Sequence, residues 1–285
     1  MLSVNAAKML VKKHGSFTVA QLLYNAAGDY PICYSNLTDV EKLTEKQRII
    51  KQNLKHLVDI TKILKPKYMM PFAGHYVLGG KLWDRNRFLA HVTWDKAAQF
   101  VTSELHEQKT LVLNEGLTFD LVTEKITNGT YVPIDEHAMT EYISSVLRSL
   151  KYSYEFDLDT EASNELKRFI RKSLQPARMH LWNIQSTKLQ SSLKWNIYID
   201  LEEEYFSFNL SSSDTHFVAK DVKKIEPCLV AKMDNRLLCM ILKRQAHWDN
   251  ALTGCHIDFT RYPNVYEPDI LTLLCFFHLP AETKC

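Results

Sequence analysis

Two short apolar runs joined by one long amphipathic helix constrain this sequence more than any other feature. Phe17-Thr18-Val19-Ala20-Gln21-Leu22-Leu23-Tyr24 reads as a buried strand and breaks at Asn25-Ala26-Ala27-Gly28-Asp29-Tyr30-Pro31, where small residues, Gly and Pro allow a tight loop. Thr38-Asp39-Val40-Glu41 forms a capping box, with a hydroxyl acceptor at one end and a carboxylate reaching back. The helix it opens runs to about Leu64, with Ile50, Leu54, Leu57, Val58 and Leu64 on one face and lysines on the other. Pro66 stops it. A strand over 68–72 follows and ends in the turn containing Gly74, His75, Gly79 and Gly80. Strands joined by a helical crossover pair in parallel, so the order predicts an α/β layer.

The rest of the chain is less regular. Residues 3–13 carry helical spacing closed by Gly15, and a second helix covers 94–104. Segments 110–114 and 117–121 read as a hairpin across Glu115-Gly116. Helices are predicted from 133 to about 150 and from about 160 to 174, the latter capped by Asp159 or Thr160 and ended by Pro176. After Ser192 the pattern alternates over 195–200 and 205–210, a second hairpin. Then come a strand at 228–233, a helix at 235–243, a turn at 247–250 and a strand at 254–260. Residues 270–279 form one buried helix or strand. Antiparallel strands with a few helices on one face describe a small α+β domain. The expected divisions are 1–90, 91–134 and 135–285.

Composition narrows the function classes. Of 285 residues 46% are hydrophobic, enough for a sizeable core, and 35 basic against 33 acidic residues leave no excess charge to steer nucleic acid. No stretch approaches a membrane span. The opening lysines Lys8, Lys12 and Lys13 fit a helix start better than a transit peptide. Cys33, Cys228, Cys239, Cys255, Cys275 and Cys285 lie at irregular spacings without a Cys-x-x-Cys pair, which predicts reduced thiols in a cytoplasmic protein. The Asn-x-Ser/Thr triplets at Asn36, Asn128 and Asn209 are then chance matches.

Two blocks carry a resemblance. The loop 25–31 with its following helix, together with Lys65-Pro66-Lys67-Tyr68-Met69-Met70-Pro71-Phe72-Ala73-Gly74, resembles the C-terminal half of the metallo-β-lactamase-like domain in the CMP-N-acetylneuraminate hydroxylase family. His247-Trp248-Asp249-Asn250-Ala251 and Asp258-Phe259-Thr260-Arg261-Tyr262-Pro263-Asn264-Val265-Tyr266 resemble that family's tail. The blocks frame nearly the whole chain in the right order. The resemblance implies an α/β half-sandwich of metallo-β-lactamase type, followed by an α+β tail domain of the sterol carrier protein type. Neither a His-x-His-x-Asp-His cluster nor the Cys/His pairs of a Rieske centre are present. It therefore implies the C-terminal portion of a metal-dependent hydrolase- or hydroxylase-like protein, inactive alone. Zinc or iron would be bound only after completion by an N-terminal half; the isolated chain is expected to hold no cofactor. The alternative is a non-catalytic module for an apolar ligand or a protein partner. A half-sandwich also leaves an apolar face, to be covered by the tail, by an N-terminal partner protein or in a homodimer.

Candidate site residues follow from position. His75 is the first candidate metal ligand, since hydrolytic relatives place a His after the Pro ending this strand; here it comes a few residues late, and a hydrogen-bonded loop histidine is the plainer reading. Asp29 sits at the carboxyl end of the first strand, where α/β sheets place functional groups and where metallohydrolase folds face their metals, so it is a second candidate metal ligand beside His75, or is simply solvated. Gly74, Gly79 and Gly80 suit a phosphate loop or backbone needing φ > 0, and lack the Lys-Ser/Thr of a Walker loop and a directly following helix. His247, Asp249, His256 and Arg261 cluster within fifteen residues, a pattern for binding, acid–base work or metal. The structural reading has Asp258 paired with Arg261 and Trp248 filling a gap beneath the sheet. Nothing resembles a Gly-x-Ser-x-Gly nucleophile elbow.

Overall fold

Ser3 caps α1 (Val4–His14) by accepting the Ala6 N–H at 3.1 Å. β1 (Val19–Leu22), α2 (Asp39–Leu64) and β2 (Tyr68–Pro71) then give the expected strand–helix–strand. β1 and β2 run parallel with Val19 opposite Tyr68, and β3 (Lys109–Thr110) adds in parallel on the far side of β2. α3 (Trp94–Glu104), capped by Thr93, precedes β3. Leu54, Leu57, Val58 and Leu64 of α2 pack with Ala20, Leu22 and Met69 of the sheet and Ala97 and Val101 of α3. The spacing of apolar residues put these side chains on one face, and burying each leucine contributes about 1.5–3 kcal/mol.

This is a computed structural model that describes residues 2–189 and 193–281; Cys285 and Ser192 lie outside the described residues. The chain divides into two units, Met1–Ala27 with Asp39–Leu150, and Gly28–Thr38 with Lys151–Cys285. The division thus falls at Leu150 and not at 90 or 134. The 91–134 segment belongs to the first unit, and the loop containing Asp29 belongs to the second. Pairings between distant segments decide membership, and local composition carries no trace of them.

The hairpin across Glu115-Gly116 does not form. β3 joins the parallel sheet, and the hairpin is β4 (Thr118–Asp120) with β5 (Lys125–Thr127), Phe119 opposite Ile126. The turn is instead fixed by the Asp120 carboxylate, which accepts the Val122 and Thr123 N–H groups at 2.7 and 3.0 Å. α4 (Glu136–Ser145), capped by Asp135, ends earlier than expected, and a single 3₁₀ turn covers Leu147–Ser149.

In the second unit α5 (Thr160–Ile184) runs straight through Pro176. Proline withholds one helical N–H at a cost of about 3 kcal/mol, but Ile170 and Leu174 before it and Ala177 and Leu181 after it are all buried. The apolar stripe on both sides outweighs the break. The sheet has the order β10-β9-β6-β7-β8: β6 (Asn196–Asp200), β7 (Glu204–Asn209), β8 (Thr215–Ala219), β9 (Cys228–Lys232) and β10 (Asp258–Tyr262). β6–β7 and β9–β10 are antiparallel as expected, the unexpected β8 pairs antiparallel with β7, and β6 and β9 are parallel, which makes the sheet mixed. β8 was hidden in sequence because its faces alternate weakly. α6 (Asn235–Leu242) follows β9. α7 (Trp248–Thr253) stands where the sequence read a turn, so β10 begins four residues later than expected and His256 precedes it. α8 (Pro268–Leu274) closes the described chain. Register places Ile197, Phe208, Leu229, Phe259 and Arg261 on one face. Asp258 and Arg261 are three apart in a strand and so point to opposite faces, which removes the expected ion pair. No described helix is long and apolar enough to cross a membrane.

Candidate functional site

The carboxyl ends of β1, β2 and β3 converge on a cavity of about 250 Å³, lined by Tyr24, Pro71, Phe72, His75, Trp94 and Leu113 among others. Each arrives by a short extension of its strand or by the first turn of α3. Asn25, 1% exposed, fixes the loop after β1: its amide donates to the Val92 carbonyl at 2.9 Å and accepts the Val92 N–H at 3.1 Å. Gly74 lies against Asn25 with φ +93°, and a Cβ there would stand 2.8 Å from the Asn25 carbonyl oxygen. Gly74→Ala is therefore expected to destabilise the first unit by about 1–3 kcal/mol through left-handed strain and backbone overlap. Chemical denaturation measures it, and an unchanged midpoint would contradict this packing.

His75 is half-buried, 6.3 Å from the Trp94 ring and 6.2 Å from the His91 ring. Burial pulls its pKa below the ordinary imidazole value, opposed by the charge of Glu136. His91 is lowered chiefly by burial as well, against a hydrogen bond from its Nε2 to the Ala26 carbonyl at 3.2 Å. The Trp94 indole is held by donation from Nε1 to the Tyr131 hydroxyl at 2.8 Å, and Tyr131 in turn donates a short bond to Asp95. Asp95 also accepts the Ile134 N–H at 3.0 Å. Burial, helped by the nearby Asp95 charge, pushes the Tyr24 hydroxyl up to about 12. The pocket thus offers a neutral imidazole, a phenol that keeps its proton and a braced indole among apolar walls.

These histidines give the first unit a pH dependence with a definite sign. Unfolded, each titrates near 6.5; folded, each titrates lower. Below that value the unfolded chain binds more protons, so the stability they contribute is whole above about pH 6.5 and is lost as pH falls through the folded values. Thermal midpoints taken from pH 7.5 to 5 should fall, and His75→Gln with His91→Gln should flatten the fall. An equally steep decline in the double variant would sink the assignment.

The remaining candidates separate. Gly79 (a Cβ there would meet the Leu147 carbonyl oxygen at 3.1 Å) and Gly80 (φ +51°) serve backbone packing and the start of a 3₁₀ segment, Gly80–Phe88, which directly follows them contrary to expectation. His247 caps α7 and accepts the Asp249 N–H at 3.2 Å, while His256 hydrogen-bonds Tyr154. Arg261 lies elsewhere in the second unit, with Asp29. Its Nη2 donates to Asn264 at 2.8 Å, Nη1 reaches the Tyr34 hydroxyl at 3.5 Å, and its guanidinium stacks 4.5 Å from the Tyr34 ring. Burial raises the Asp29 pKa, opposed by its hydrogen bonds, that from Tyr34 among them, and by Arg261. Tyr34 is raised too, first by burial and then by Asp29.

Asp29 and His75 thus belong to different units, each with partners in its own. Among the described residues no three His, Cys, Asp or Glu side chains converge. Zinc takes three or four such ligands, so the residues present do not fit a resident metal. Sequence reasoning missed Trp94, Asp95, Tyr131 and Tyr34. The first two opened a helix that was legible, but the hydroxyl that binds them lies 37 and 36 residues on. Comparisons with family models, characterised proteins and solved structures found no match to this chain.

Proposed function

We propose that the chain is the C-terminal portion of a metallo-β-lactamase-type, metal-dependent hydrolase- or hydroxylase-like protein, inactive alone, whose contribution to the site is the pocket around His75. The observation that supports this reading is the cavity at the carboxyl ends of three parallel strands, the edge where open α/β sheets place their ligands. One histidine cannot hold a metal, so the reading requires a partner carrying the His-x-His-x-Asp-His cluster. Elemental analysis after dialysis against a mild chelator should give well under one equivalent of zinc or iron. The chelator should leave the thermal midpoint unchanged, and addition of such a partner protein should raise the stoichiometry to one or more. One equivalent held tightly by the chain alone would overturn it, as would a partner that binds without raising the metal content.

The apolar walls favour a second reading, a non-catalytic module that holds an apolar ligand. Met70, Pro71, Phe72, Ala73, Val112 and Leu113 outnumber Tyr24, His75 and Trp94, the side chains able to hydrogen-bond, and apolar burial alone supports useful affinity. Anilinonaphthalene sulfonate should bind with a fluorescence rise that Trp94→Ala removes. A probe response that survives Trp94→Ala would exclude this pocket.

A further inference from the structure

The second unit holds another cavity of about 250 Å³ with different chemistry. Leu237 of α6 lines it. Its wall is three rings in mutual contact: Tyr152 and Tyr154 stack at 5.7 Å and 7°, and His256 stands nearly perpendicular to them, at 4.4 and 5.5 Å. The Tyr154 hydroxyl and His256 Nδ1 are 3.0 Å apart, which fixes the imidazole in the wall. Gln245, His247 and Asn250 also line the cavity.

The backbone is shaped around these rings. A Cβ on Gly254 would stand 2.7 Å from His256 Cδ2 and 2.8 Å from Nε2, so only glycine lets the imidazole lie there. Cys255, next to His256, and Arg244, next to Gln245, both adopt left-handed backbone, at φ +58° and +61°. Non-glycine residues held in that region gather where a binding geometry has to be kept.

The lining selects its ligand by elimination. Hydroxyl, carboxamide and imidazole groups face the cavity, and no carboxylate, ammonium or guanidinium lines it. A charged ligand would enter without a counter-charge. A wholly apolar one would strip water from the amides and hydroxyls without replacing its hydrogen bonds. A compact neutral molecule dense in hydroxyls, with one apolar C–H face to lay against tyrosine, satisfies both demands. The geometry points to a binding site for a neutral monosaccharide or glycoside, between the 152–154 segment, α6, α7 and His256.

Saturation-transfer difference NMR on the full chain tests this with methyl α-glucopyranoside, methyl α-galactopyranoside, glucuronate and glucosamine as probes. Transfer is expected to at least one neutral glycoside, and at least fivefold weaker transfer to the anionic and cationic sugars. Tyr152→Ala should abolish it, as should Gly254→Ala, which displaces His256 without touching the sugar; Val122→Ala, at an exposed position in the other unit, should not. No transfer to either glycoside, or equal transfer to the charged sugars, overturns the proposal on the native protein alone, whatever the variants do. Transfer that survives both substitutions overturns it equally.

Discussion

Arg261→Met is expected to cost the second unit about 1–3 kcal/mol, through the lost buried hydrogen bonds to Tyr34 and Asn264 and the lost positive charge that opposes the burial of Asp29. Arg261 is 5% and Asp29 8% exposed, and the Tyr34 hydroxyl lies between them. Methionine fills much of the same space, so lost packing is a minor part of the effect. The carboxyl is already raised by burial; without the guanidinium it rises further and takes up a proton to escape its charge. The loss is therefore largest near neutral pH and shrinks as pH falls through the raised folded values of Asp29 toward its ordinary 3.8, because the carboxyl is then protonated in both folded proteins. Asp29→Asn combined with Arg261→Met should recover a substantial part of it in a double-mutant cycle. Urea unfolding of the four proteins at pH 7 measures this. A single-variant cost under about 1 kcal/mol would mean that Asp29 and Arg261 do not act as a pair.

Trp248→Ala should cost about 3–5 kcal/mol, within the range for removing a large buried aromatic. Trp248 is 0% exposed, its indole donates to the Phe277 carbonyl at 3.0 Å, and its ring meets that of Phe277 edge-on at 6.3 Å. Alanine leaves both a cavity and an unpaired buried carbonyl. Trp248→Phe restores most of the volume and leaves only the carbonyl, so it should cost markedly less, about 1–3 kcal/mol. Equal losses for the two variants would assign the stabilisation to the hydrogen bond and not to the packing.

What the sequence disclosed was governed by distance along the chain. Helical periodicity and the stop at Pro66 act within a few residues, and α1, α2 and α3 stand where periodicity put them. The 205–210 hairpin partner was legible for the same reason. Parallel pairing of β6 with β9 was not, because no turn signals it. Pro176 misled because a local rule met a tertiary stripe stronger than itself, and Glu115-Gly116 misled because a turn signal says nothing about which strands it joins. At the site, position alone marked His75, Asp29 and Arg261. The Asp29–Tyr34–Arg261 link, and the indole–phenol–carboxylate chain behind His75, join segments whose individual residues are unremarkable.

The 28–38 segment makes a kinetic demand on the nascent chain. Its Ser35 N–H binds the Phe259 carbonyl at 2.8 Å, the Phe259 N–H binds the Cys33 carbonyl at 2.7 Å, and the hydroxyl of Ser35 reaches a residue 224 positions later. At roughly 5–20 residues per second, the ribosome releases Ile32, Cys33 and Tyr34, all buried in the finished protein, on the order of ten to forty-five seconds before the strand that covers them. Through that interval an apolar stretch that directly precedes α2 in the sequence has no native cover. A holdase that shields residues 30–34 during synthesis should therefore raise the yield of folded chain more than one acting after release.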